Sequence, residues 1–404
     1  MTRSARLAQG FSNVGHSYAH IMMLLYPTVV IALEAELRMS YGELLMLMLP
    51  GNLLFGAAAL PAGWLGDRWS TQGMMVTFFV GMGAAAVLTG FMSTASGLLV
   101  GLTLIGLFAA IYHPVGMSWL VRNAENRGKA LGFNGVFGSL GLASAALIAG
   151  VLTDAIHWRA AFIVPGVVSI ATGLALLFFI RSGLVHDRHP EAKPKTAPPH
   201  RGAMVRAFVV LSVTMLCTGL VYQSMSTAFP KVLAERLPDL TGGTAAGAGV
   251  MVSIVYFLAM GLQLLGGHLA DRHSMRNVYI LTYALQVPLL ALAAYVSGLP
   301  LYFALMATAL LGTVTIPVEN SLLSHYSPAK WRGTAFGAKF VLALGVSALG
   351  VPIVAGIHAA TGEFYWYFVL LASLAIVVVV AGWLLPQDKP ARVTGPAVTV
   401  DRAT

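Results

Sequence analysis

Long apolar runs alternate with short polar interruptions along the whole chain. One set of runs occupies residues 11–34, 41–62, 73–93, 97–121, 130–153 and 159–181, and a second occupies 204–230, 243–267, 277–298, 300–324, 333–359 and 363–385. Most reach the roughly 20 residues with which an α-helix crosses about 30 Å of hydrocarbon. Transmembrane β-strands are about half as long and alternate in polarity, which these runs do not. A single segment in lipid satisfies its backbone only as a helix, so the pattern predicts an all-α membrane protein with twelve transmembrane helices.

Two polar stretches divide this pattern. Residues 182–203 carry Pro190, Pro194, Pro198 and Pro199 among His186, Asp187, Arg188, His189, Lys193 and Lys195, a composition that forms no packed core. The expected organisation is an N-terminal six-helix bundle over 1–181, a linker over 182–203, a C-terminal six-helix bundle over 204–386 and a disordered tail over 387–404. The start of the chain, with Arg3 and Arg6 before an apolar run, has the outline of a secretory signal. That run is too long for one and contains His16 and His20, so it reads as an uncleaved first span.

The two sets of runs also repeat each other. Gly63-Trp64-Leu65-Gly66-Asp67-Arg68 returns as Gly266-Gly267-His268-Leu269-Ala270-Asp271-Arg272, Pro114-Val115 as Pro317-Val318, and Arg127-Gly128 as Arg332-Gly333. The three landmarks keep their order at nearly one offset, which is 204 residues for Asp67 and Asp271 (271 − 67). Internal repetition of this length predicts two pseudo-symmetric halves. In each copy the glycines are expected to bend the chain sharply between two neighbouring spans.

Composition agrees with the bilayer. Hydrophobic residues make up 57% of the 404, and charged residues 10%, against about a quarter in soluble proteins. The net charge of +9 raises nucleic acid as a partner until its cations are located. They gather at the termini, in the linker and in the connections on the same side. Arg38, Arg159, Lys231 and Arg236 fall on the other side, and Lys339 lies inside a span. This is the positive-inside distribution, which places both termini in the cytoplasm and leaves no role for nucleic acid. The one cysteine, Cys217, sits in an apolar run and reads as a packing residue.

The Gly-x-Leu-(Gly/Ala)-Asp-Arg segments resemble the loop between helices two and three of the major facilitator superfamily, and their repetition matches that family's two-halves plan. The resemblance implies a major facilitator fold and transport by alternating access. Tyr112-His113-Pro114-Val115-Gly116 in helix 4, with Gly15-His16 in helix 1, is similar to the fosmidomycin-resistance branch. That branch often has Asp four residues after the first His, where this chain has His20. The Gly-x-x-x-Gly-Pro signature of drug antiporters is also absent, since Gly141 is followed by Ala145-Ala146.

Ionisable residues inside spans are functional candidates because each costs about 2.5–3.5 kcal/mol to insert. Glu319 in helix 10 and Lys339 in helix 11 are expected at similar depth on antiparallel neighbours, able to pair or to face one cavity. Laid over the other half, they fall on Gly116 and Asn134, so a charged site answers a neutral one. Helix 1 presents Asn13, His16, Ser17 and His20 as one polar stripe, and its histidines titrate near neutral pH. Two His at this spacing suit a metal, but the sequence identifies no third ligand, and neither a metal site nor a cofactor is expected. His113 stands beside a proline-kinked point. Tyr26, Asn52, Tyr222, Gln223, Tyr256 and Gln263 complete the candidate lining, each equally suited to plain packing. The glycines of helix 5 (Gly132, Gly135, Gly138, Gly141) and helix 11 (Gly337, Gly345, Gly350) allow either tight static packing or a moving seam.

These features support a secondary active transporter, not an enzyme, in a bacterial cytoplasmic membrane. Its partners are a small-molecule substrate, protons and the lipid bilayer, and it is expected to act as a monomer. No Walker-type phosphate loop is present, so an ion gradient supplies the energy. The preferred reading is proton-coupled efflux of a small organic anion, zwitterion or drug; uptake of an organic acid or a metal-related solute, and a non-transporting receptor, remain open. Burial favours a neutral Glu319 and the Lys339 ammonium favours its carboxylate, so a substrate that engages Lys339 would free Glu319 to take a proton. Gly63, Asp67, Arg68, Arg127, Asp271, Arg272 and Arg332 are the expected conformational latch.

Overall fold

The structure, a computed structural model, describes residues 2–125, 127–186, 201–327 and 332–387. Most of the expected linker and tail, and the side chains of Arg127 and Arg332, lie outside the described residues. The helices are α1 (Arg3–Leu37), α2 (Tyr41–Ala57 continued by Ala59–Arg68), α3 (Thr71–Phe91), α4 (Ala95–Arg122), α5 (Lys129–Ala155) and α6 (Ala160–Arg181). They are followed by α7 (Gly202–Arg236), α8 (Ala245–Arg272), α9 (Met275–Tyr295), α10 (Gly298–Tyr326), α11 (Gly337–Thr361) and α12 (Tyr365–Trp383). Among the described residues, 11 helices are long and apolar enough to span singly; α2 is a twelfth span whose two pieces bend by 42°. The fold is an all-helical membrane protein, as the hydrophobic pattern predicts.

Local chemistry sets the boundaries. Ser40 and Glu43 form a capping box at the start of α2, and Ser70, Thr94, Thr244 and Ser274 each accept a backbone N–H at the start of α3, α4, α8 and α9. Arg38, at φ 53°, closes α1 in a left-handed turn. Within spans, α1 breaks at Leu25 just before Pro27. In α4 the ladder widens into a π-turn over Tyr112–Gly116, because Pro114 supplies no N–H and crowds the preceding turn. A second π-turn, Val341–Gly345 in α11, contains no proline and was not foreseen; it runs into a 3₁₀ segment, Val346–Leu349. There Ser347 Oγ donates back to the Ala343 carbonyl (2.5 Å), a local bond that loosens a helical ladder.

The glycines of the repeated motif do not bend the chain. Gly63 and Gly66 lie inside the helical segment Ala59–Arg68, and Gly266 and Gly267 lie inside α8. Their use is close approach. A Cβ on Gly63 would fall 3.1 Å from Pro114 Cβ, and one on Gly66 would fall 2.9 Å from Val115 Cγ2. In the second copy, a Cβ on Gly266 would fall 2.2 Å from the Val314 carbonyl oxygen and 2.7 Å from Pro317 Cγ. Both copies therefore press the same pair of elements together, α2 on α4 and α8 on α10. Asp67 and Asp271 accordingly sit in the last helical turn, and Trp69-Ser70 and His273-Ser274 make the actual connections.

Two seams join the first six helices to the last six, α5 along α8 and α2 along α11. Ser253 Oγ donates to the Ala143 carbonyl, and Asp154 Oδ2 accepts the Ala246 N–H (2.7 Å). On the face opposite the termini, Lys231 of α7 pairs with Glu34 of α1 and with Glu235 (3.1 Å). His358 of α11 meets Glu235 (3.3 Å) and stacks edge-on against Tyr41 of α2 at 5.0 Å. A Cβ at Gly106 of α4 would lie 2.0 Å from the Gly51 carbonyl oxygen of α2. Gly106→Leu should therefore cost about 1–3 kcal/mol or more, read as a lower thermal midpoint in detergent; an unchanged midpoint would contradict this packing.

Candidate functional site

The antiparallel pairing of α10 and α11 brings Glu319 and Lys339 together, with Lys339 Nζ 2.7 Å from Glu319 Oε1. Both residues are buried. The other carboxylate oxygen accepts hydrogen bonds from Tyr279 of α9 (3.1 Å) and Thr218 of α7 (3.2 Å), and Lys339 also donates to Asn320 Oδ1 (2.5 Å). Four helices of the second half thus meet at one ion pair. A buried pair balances desolvation only with such geometry and with its remaining lone pairs and protons satisfied.

The first half answers with a neutral network at the corresponding place. Asn134 of α5 donates to Asn13 of α1 (2.9 Å) and to the Tyr112 hydroxyl of α4 (2.9 Å). His16 Nδ1 donates to the Asn134 carbonyl (2.8 Å), since a carbonyl only accepts. That leaves Nε2 of a neutral His16 as an acceptor, 3.3 Å from His20 Nε2. The His16 ring stacks on Tyr112 at 5.0 Å, and His113 stands edge-on to His16 at 5.5 Å and to His20 at 5.7 Å. Asn134 and Lys339, which the repeat superposes, are therefore both polar hubs, one neutral and one charged.

The hubs touch through an aromatic contact. Phe340, next in sequence to Lys339, stacks on His113 at 5.1 Å and 26°. Both residues lie at π-turns, His113 within the one in α4 and Phe340 immediately before the one in α11. Such turns recur at functional sites because the widened ladder re-aims side chains.

The remaining candidates divide. Gln263 of α8 donates to Ser139 of α5 (2.8 Å) across the seam between halves. Of the helix 5 glycines, Gly135 faces Gln263, Gly138 the His16 ring and Gly141 the backbone of Ser17, whereas Gly132 faces nothing within 4 Å. Tyr26 is not gathered into either hub: its hydroxyl donates to the Leu44 carbonyl (2.8 Å), tying α1 to α2. Tyr256 reaches Ser226 (3.4 Å), and Tyr222 and Gln223 are half-buried on α7. Asn52 is buried, and its Nδ2 has no hydrogen-bond partner among the described residues. Asp67, Arg68, Asp271 and Arg272 are exposed, and neither aspartate makes an ion pair among the described residues. Arg68 instead lies over the Trp64 ring at 4.9 Å.

The profile described as Major Facilitator Superfamily matches residues 15–241 and 232–400. The chain belongs to this family. Its fold agrees with that of solved structures. It matches the peptide transporter POT in complex with sulfate with a TM-score of 0.74, at 15% identity over 94% of this chain and 93% of that one. A bacterial homologue of the human lysosomal transporter Spinster, inward-facing and occupied, matches with a TM-score of 0.72, at 14% identity over 95% and 97% of the two chains.

Curated relatives are more distant in extent. The methyl viologen resistance protein SmvA of Salmonella typhimurium is 28% identical over 174 residues, 42% of this chain and 34% of that protein. The tetracenomycin C resistance and export protein of Streptomyces glaucescens is 28% identical over 49% of this chain and 36% of that protein. The probable sulfoacetate transporter SauU of Cupriavidus necator is 30% identical over 34% of each. The matches span about a third of the length of these relatives, and they resolve no branch of the major facilitators.

Several members of both hubs went unrecognised in the sequence. Tyr112 was read only as part of a motif, and Thr218, Tyr279, Asn320 and Phe340 not at all. Tyr279 and Thr218 carry no charge and lie far from Glu319 in sequence, so only the packing of α7 and α9 identifies them. Lys231, expected beyond the end of a run at 230, belongs to α7, which continues to Arg236. Removing one partner of the central pair should leave an unpaired buried charge, at about 3–5 kcal/mol. Glu319→Gln alone should therefore lower thermal stability more than Glu319→Gln combined with Lys339→Met; equal losses would show that the pair is not coupled.

Proposed function

We propose that this major facilitator exports a small organic anion, zwitterion or drug in exchange for protons across a bacterial cytoplasmic membrane, with its termini in the cytoplasm. The Glu319–Lys339 pair carries the reading: it is one titratable acid held by one cation, buried where four helices meet. A substrate group that binds Lys339 separates the pair, and a separated buried carboxylate gains by taking a proton. Substrate and proton are thereby linked by competition for one charge. The short motifs shared with the fosmidomycin-resistance branch, and relatives named for resistance and export, favour the outward direction. The relative named as a probable sulfoacetate transporter supports uptake of an organic acid as the second reading.

The halves are tied on the face opposite the termini by the Lys231–Glu34 pair and the Tyr41–His358 contact, while Asp67 and Asp271 stand exposed on the terminal face. In this reading the structure is the cytoplasm-open state. Closing the terminal face brings Asp67 and Asp271 towards helix ends and the arginines Arg68, Arg127, Arg272 and Arg332, which favours the opposite state by contacts made only there.

Two measurements test these roles in proteoliposomes with a panel of organic acids and amphipathic drugs. Glu319→Gln should abolish flux driven by a pH gradient while leaving substrate exchange, and retained pH dependence would reject the carboxylate as the proton carrier. Asp67→Asn should lower turnover with expression intact, and unchanged turnover would remove the latch.

A further inference from the structure

The helix 1 stripe offered two imidazoles at metal-binding spacing and lacked a third ligand. The fold supplies it: one ring nitrogen each from His16, His20 and His113 lie within 4.8 Å of one another. We propose that these three side chains bind one divalent transition-metal ion of the zinc and cobalt class. This site lies wholly in the first half and is independent of the Glu319–Lys339 reading.

Three observations carry the assignment. First, metal–nitrogen bonds of about 2.0–2.1 Å in a tetrahedron set nitrogen–nitrogen edges near 3.3 Å. His16 Nε2 and His20 Nε2 already stand 3.3 Å apart. Second, His16 gives its Nδ1 proton to the Asn134 carbonyl (2.8 Å), which fixes the tautomer and turns the Nε2 lone pair towards the cluster. Ligand histidines are oriented by this kind of outer hydrogen bond. Third, His113 is buried, with 6% exposure, and neither of its ring nitrogens has a hydrogen-bond partner among the described residues. Its surroundings are the rings of Phe55, Tyr112 and Phe340, so a bound cation would give it the partner it lacks. The remaining edges, within 4.8 Å, must shorten on binding, and His113 stands in the π-turn of α4.

The charge of the ion also bears on what completes the site, since one anion would halve it. Three neutral imidazoles leave both charges of the ion uncompensated in a low-dielectric span, which is unfavourable. The fourth position therefore calls for an anion, hydroxide or a carboxylate, as in sites with three histidines and one exchangeable ligand. Imidazole without thiolate suits zinc, cobalt or nickel better than the alkaline-earth ions, which take oxygen ligands.

The test uses full-length protein, stripped with chelator and reconstituted in nanodiscs. Equilibrium dialysis against Zn²⁺ should load one ion per chain that His20→Gln and His113→Gln each weaken by at least about tenfold. His325→Gln, at the terminal end of α10, should leave loading unchanged. Co²⁺ should give the intense visible bands of four-coordinate cobalt in the unmodified protein, a readout that does not depend on the variants folding, and added acetate should shift those bands. Absence of stoichiometric loading, octahedral-type weak cobalt bands, or loading that survives both His20→Gln and His113→Gln in well-folded protein would overturn the assignment.

Discussion

The structure depends on one costly arrangement, a carboxylate and an ammonium buried together inside a membrane protein. Neither Glu319 nor Lys339 would be stable there alone, since each would carry an uncompensated charge into a low-dielectric interior. Together they are satisfied: Glu319 accepts from Tyr279, Thr218 and Lys339, and Lys339 also reaches Asn320. Every helix that contributes a donor is held in register by the pair. The helices of the second half thus meet at one contact between opposite charges.

The first half follows the same plan without the charge. Its hub, Asn134, sits where the repeat places Lys339, but it exchanges neutral hydrogen bonds with Asn13, Tyr112 and His16. A neutral hub has no comparable penalty for staying intact while its partner changes protonation. The Phe340–His113 stack places the two hubs in contact through a flat aromatic face. Around it, glycines let backbones approach closely along both seams, as where a Cβ on Gly249 would lie 2.3 Å from the Ala146 carbonyl oxygen. Close backbone packing without large side chains is how membrane helices associate when lipid gives them no hydrophobic drive.

Much of this was legible in the sequence because the bilayer imposes simple rules. Span length and the repeated motifs were enough for the helices and the family. The similar depth of Glu319 and Lys339 also follows, since antiparallel neighbours put residues near the same end at the same level; that they pair, where the sequence equally allowed both to face one cavity, comes from the structure. The misreading of Gly63 and Gly66 shows the limit: a glycine serves equally in a bend or in a tight crossing, and only the neighbouring Pro114 and Val115 distinguish the two. The π-turn of α11 and the far-face contacts of Lys231 with Glu34 and of His358 with Tyr41 depend on which helices meet across the halves. His113 was seen as a kink residue and not as the third member of a histidine cluster, because helical spacing relates residues within one span and says nothing of the span packed against it.

The central claim is that Glu319 and Lys339 form one buried ion pair in which each charge depends on the other. Infrared difference spectroscopy on protein in lipid at neutral pH tests it directly, by following the carboxyl C=O band of a protonated acid. Lys339→Met should produce such a band, and Lys339→Met with Glu319→Gln should remove it again. A spectrum unchanged by Lys339→Met, or a band that persists without the Glu319 carboxyl group, would contradict the account.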